Sequence, residues 1–145
     1  MMKKIVPTLL FAVFFALCTV CQVEAVDKTP EQLVKEAKST IREVSINDVR
    51  KMIDAKENII FLDVRDKHEF EEGHIPGAIN ISRGSLEFKI ATIIPDKSAK
   101  IIVYCGLDLR SPLAVRVMND LGYTHAVNLL GGLKAWKEAG YPTGK

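Results

Sequence analysis

The stretch Asn58-Ile59-Ile60-Phe61-Leu62-Asp63-Val64 constrains this chain more than any other part of it. It is apolar almost throughout and has the length of a strand. A strand without apolar–polar alternation has to be covered on both faces, as it is inside a parallel sheet. The segments around it fit that demand. Strand patterns at 41–44, 78–81, 101–104 and 126–129 alternate with helical patterns at 46–55, 67–72, 82–90, 112–121 and 133–139. Ser45 stands as cap before 46–55, and Gly73, Gly122 and Gly140 stop three of the helices. Strands alternating with helices predict an α/β domain around a mostly parallel sheet. In such sheets the working site lies at the carboxyl ends of the strands.

The first 25 residues do not belong to that pattern. Lys3 and Lys4 precede an apolar run from Ile5 to Val20, and Val23-Glu24-Ala25 offers a cleavage site after Ala25. This is the signature of a secretory signal peptide, and it predicts a periplasmic or secreted protein. An uncleaved anchor is the competing reading, for which the run is short. Residues 26–40 form an N-terminal helix and linker, with Thr29 as cap and Pro30 at the first helical position. Residues 41–145 form the domain proper. Removing Lys3, Lys4 and Glu24 takes the formal net charge from +2 to +1. That balance, with no basic stripe, argues against nucleic acid as a partner. His68, His74 and His125 have neither metal-ligand spacing nor partnering cysteines, so neither a metal nor a cofactor is expected.

Cleavage would also remove Cys18 and Cys21, leaving Cys105 without a disulfide partner in an oxidising compartment. Cys105 follows the strand Ile101–Tyr104 and precedes a helix opened by Ser111 as hydroxyl cap and Pro112 in the first turn. A thiol in that position faces backbone N–H groups and the positive end of a helix, both of which favour the thiolate. The span from Cys105 to Arg110 is able to curl so that the amides of Gly106, Leu107, Asp108, Leu109 and Arg110 converge on one anion. A buried structural cysteine is the alternative for the same residues.

Two blocks resemble the rhodanese family of sulfurtransferases. The front block is Leu62-Asp63-Val64-Arg65, Glu69-Phe70 and Gly73-His74-Ile75-Pro76-Gly77-Ala78-Ile79-Asn80. The back block is Val103-Tyr104-Cys105, Arg110-Ser111 and Leu130-Gly131-Gly132-Leu133-Lys134-Ala135-Trp136. The resemblance implies a rhodanese-like α/β fold, a five-stranded mainly parallel sheet flanked by helices. It also implies that Cys105 accepts a sulfane sulfur from thiosulfate, a persulfide or a polysulfide and passes it to a thiol or cyanide. Arg110 is then the donor-binding or loop-ordering charge, and Asp63, Arg65 and Glu69 hold the loops at the strand ends. Phosphatases and arsenate reductases that resemble the fold have one more residue between cysteine and arginine, so sulfur transfer is favoured here.

One residue departs from the family pattern. Most active members have glycine where this chain has Asp108. Its carboxylate is expected to disfavour the thiolate and repel thiosulfate by roughly one to a few kcal/mol, unless Arg110 pairs with it. Weak thiosulfate activity, or a less charged donor met by an apolar mouth of Leu107 and Leu109, is therefore expected. A non-catalytic binding module and a persulfide carrier serving a partner protein are the alternative readings.

Overall fold

The computed structural model describes residues 27–145. The expected signal segment, residues 1–25, lies outside the described residues. Five parallel strands form one sheet in the order β1-β5-β4-β2-β3. They are β1 (Glu43–Val44), β2 (Ile59–Asp63), β3 (Ile79–Asn80), β4 (Lys100–Tyr104) and β5 (Ala126–Leu129). The helices are α1 (Pro30–Thr40), α2 (Ile46–Asp54), α3 (Lys67–Glu72), α4 (Leu86–Ile93), α5 (Arg110–Asp120) and α6 (Gly132–Glu138), with a 3₁₀ turn at Arg83–Ser85 before α4.

The central strands divide the core by their pleat. Ile101, Val103 and Cys105 turn to one face with Leu62 and Val64, under Leu86 and Ile90 of α4 and Ala114, Val115 and Met118 of α5. Ile102 and Tyr104 turn to the other, with Val49 of α2 and Leu133 and Trp136 of α6. Parallel register carries Ile59 to Lys100 and Asp63 to Tyr104, so the carboxyl ends of β2 and β4 finish level. Asp63, Arg65 and Cys105 are thereby brought to one edge.

Several boundaries move from the sequence expectation. The strand expected at 41–44 shrinks to two residues because it pairs only with the end of β5. Within β2, Ile59, Ile60 and Phe61 are half-buried and only Leu62 and Asp63 are closed off. The helix expected at 82–90 is a 3₁₀ turn running into α4. Helix α5 begins at Arg110, so Ser111 lies inside its first turn and Leu109 is the cap residue, without a side-chain cap bond. The Ser111 hydroxyl is turned to another partner.

Candidate functional site

Cys105 directly follows β4 and is almost fully enclosed, with 1% of its surface exposed. Ser111 Oγ lies 3.4 Å from its Sγ, the reach of an O–H donor to sulfur. Among the described residues, none of the N–H groups of Gly106, Leu107, Asp108 and Leu109 donates to a protein acceptor, so the loop holds its donors free. Its first two carbonyls are taken. Leu133 N–H donates to Cys105 O at 2.8 Å, and Lys134 N–H to Gly106 O at 3.1 Å. The first turn of α6 thus closes the cysteine end of the loop from below.

That closure depends on glycine. Gly132 has φ +59°, and a Cβ there would stand 2.4 Å from Cys105 O. The Gly131-Gly132 pair therefore lets α6 approach the backbone of Cys105. The signal available was the glycine pair itself. What it approached was not readable.

Arg110 does not pair with Asp108. Its two terminal nitrogens donate to Glu69 Oε2 at 2.7 Å and Oε1 at 2.8 Å, a fork-to-fork contact between α5 and α3. Glu69 Oε2 also accepts the Asp66 N–H at 3.0 Å. The Arg110 bonds hold the Glu69 carboxyl down to about 2, against partial burial that pushes it the other way, with the Asp66 N–H and the charges of Arg110 and Arg65 assisting. The geometric reason for this pairing is that α5 starts at Arg110, which aims the side chain across the sheet end at α3.

Arg65 is buried and tied down at every nitrogen. Nε lies 3.0 Å from both Asp63 oxygens, one terminal nitrogen donates to Asp63 Oδ2 at 2.6 Å and to Gly73 O at 2.8 Å, and the other donates to Glu69 O at 3.0 Å. Burial is the largest influence and works against its charge, yet the Asp63 bonds together with the charges of Asp63, Tyr104 and Glu69 outweigh it and the pKa rises. Asp63 and Arg65 thus brace the loop after β2, and Arg65 reaches the backbone of Glu69 rather than its carboxylate. An added Cβ on Gly106 would lie 3.9 Å from the Arg65 stem and 4.0 Å from the Arg110 guanidinium, so both arginines flank the loop.

Asp108 has φ +64°, the left-handed conformation in which glycine is at ease. Its partners are Lys38 Nζ on α1 at 2.5 Å and Asn128 Nδ2 on β5 at 2.6 Å. Sequence reasoning missed both. Leu107 and Leu109 stand out in solvent, 63% and 55% exposed, and so rim the loop rather than pack beneath it. His74 has Nδ1 2.9 Å from Phe70 O and its ring stacked on Phe70 at 3.7 Å. Trp136 is core, donating from Nε1 to Pro142 O at 2.9 Å.

Residues 45–139 match the model of the rhodanese-like domain. Among curated proteins, the chain is 31% identical over 101 residues to the "Putative sulfur carrier protein YrkF" of Bacillus subtilis, a match that takes in 70% of this chain and 54% of that one. It is 39% identical over 74 residues to thiosulfate sulfurtransferase PspE of Escherichia coli K12, covering 51% of this chain and 70% of that one. A solved structure from Rhodopseudomonas palustris, titled a protein of unknown function and possible tyrosine phosphatase, superposes with TM-score 0.75 at 29% identity. It covers 83% of this chain and 98% of the other. With its cysteine loop, braced arginines and parallel sheet, this chain belongs to the rhodanese-like domain family.

Proposed function

We propose that the chain is a sulfurtransferase that works through a persulfide on Cys105. The observation that carries the reading is an enclosed thiol, the one cysteine among the described residues, at the head of a loop whose N–H groups have no protein acceptor, with the Ser111 hydroxyl 3.4 Å from its sulfur. Those donors suit an anionic sulfur without any base beside it. In the first step the Cys105 thiolate attacks the outer sulfur of a donor. With thiosulfate, the donor S–S bond breaks and sulfite leaves with the electron pair. A thiolate or cyanide then attacks the outer sulfur of the persulfide, and the Cys105 thiolate leaves with the pair. No oxidant is consumed, and the two displacements predict ping-pong kinetics.

The charges around the loop favour a weakly charged donor over thiosulfate. Arg110 is matched by Glu69 and Lys38 by Asp108, so neither cation is left over for a sulfonate. A persulfide or polysulfide donor, with the chain acting as carrier to a partner thiol, is the form of the reading that these pairs support. The relative named a sulfur carrier agrees in kind. Four residues between Cys105 and Arg110 make a tight cradle for sulfur, which argues against phosphate chemistry. Export belongs to the same proposal, resting on the signal-like pattern of residues 1–25. The amino-terminal sequence of the protein purified from its cell envelope tests it.

The deciding experiment is intact mass after incubation with thiosulfate or polysulfide, for the chain and for Cys105→Ser. The expected result is a gain of one sulfur atom from polysulfide and a smaller yield from thiosulfate, reversed by cyanide and absent in the variant. No gain from either donor would leave the binding-module reading in its place.

A further inference from the structure

The carboxylate of Asp108 is held at both oxygens by groups that the transfer chemistry does not use. Lys38 Nζ takes Oδ2 and lies 3.4 Å from Glu43 Oε1, while Asn128 Nδ2 donates to Asp108 Oδ1 and, at 2.8 Å, to Glu43 Oε1. Asn128 is fully buried, and its NH₂ faces two carboxylates, which fixes the orientation of the amide. The network joins α1, β1 and β5 to the middle of the cysteine loop. It meets two costs of a non-glycine residue there. It anchors the left-handed backbone of Asp108, and it matches a negative charge three residues from the sulfur.

We infer that Lys38 and Asn128 are positioning residues for the Cys105 loop, acting through Asp108, so that α1 is part of the working site. The functional meaning rests on the sulfurtransferase reading, but the geometry does not. The charged groups around the loop are Lys38 from α1, Glu43 from β1, Arg65 and Asp66 after β2, Glu69 from α3, Arg110 from α5 and Lys134, Lys137 and Glu138 from α6. Among them Lys38 is the cation that meets Asp108. Burial works against its charge, and the Asp108 bond with the Asp108 and Glu43 charges overcomes it, so Lys38 stays protonated beyond its ordinary range.

The test is the pKa of the Cys105 thiol in the full chain, read from the pH dependence of its ¹³Cβ resonance with cysteine labelled. Cys105→Ser identifies the signal. Lys38→Met leaves Asp108 unmatched and is expected to raise the thiol pKa by about one unit. In an Asp108→Gly background the same substitution is expected to leave it unmoved, because no carboxylate is there to match and glycine holds the turn unaided. Absence of a shift with Asp108 present, or a shift that persists in the Asp108→Gly background, overturns the inference. Lys38→Gln repeats the test should the methionine variant fail to fold, and loss of fold in both would make Lys38 merely structural, which overturns it too. Sulfur loading of the unaltered chain is scored separately, so a failure of the transferase reading is seen apart from a failure of the network.

Discussion

Ser111 illustrates how a residue's neighbours decide its role. In the sequence its hydroxyl precedes Pro112 and reads as a helix cap, yet it lies in the first turn and reaches sulfur instead. A hydrogen bond to a charged group contributes about 1.5–3 kcal/mol, with a long bond to sulfur at the low end. Ser111→Ala is therefore expected to slow alkylation of Cys105 by iodoacetamide about tenfold at neutral pH, and an unchanged rate would remove Ser111 from the site. Glu69 makes a pH-dependent contribution. Its carboxyl ionises at about 2 in the folded chain against an ordinary 4.5, so its share of stability is complete above 4.5 and is lost as pH falls towards 2. The melting temperature of Glu69→Gln should lie below that of the unaltered chain at pH 6, with the gap closing below pH 4.5. A constant gap would mean that the Arg110 pair is not the cause. The cysteine, its loop and Arg110 were legible as residues because the loop is continuous in sequence. The partners of Asp108 were not, since Lys38 lies far upstream and only the sheet order brings it near.

At the scale of elements, periodicity and punctuation located every helix and strand, and α3 and β5 kept the bounds expected of them. Elsewhere the ends moved by a few residues, since where a strand stops depends on the neighbour it pairs with. Helix α1 shows what periodicity leaves out. Its Thr29–Gln32 capping box and Pro30 mark its start, and Ala37, on its apolar face, is fully buried, but nothing local says that α1 packs on α5. The junction of α6 with the loop is as specific. Gly132→Ala sets a methyl group against the Cys105 carbonyl in a left-handed conformation, and should cost at least about 2 kcal/mol. Gly84→Ala, with open space around it, should stay within about 0.5 kcal/mol. Urea midpoints compare the two, and equal values would show that α6 yields easily.

For the whole molecule, stability rests on two apolar layers pressed on one thin sheet, and β2 and β4 serve both. Leu62 is fully enclosed between β3 and β4, so Leu62→Ala is expected to cost about 2–5 kcal/mol by urea denaturation. Phe88, 86% exposed on α4, should change stability by no more than about 0.5 kcal/mol when replaced by alanine. The α/β class followed from the nearly continuous apolar run at 58–64 and the alternation of strands with helices around it, but strand order did not, because no local signal tells β1 that its neighbour is β5. That order has a consequence in time. The strand made first finds its sole sheet partner in the strand made last, and the cysteine's carbonyl waits for the helix after that. Contacts of such long range close late in folding. A chain still emerging from the ribosome therefore carries its thiol without the scaffold that shapes it, and the loop around that thiol is closed only when β1, β5 and α6 have met.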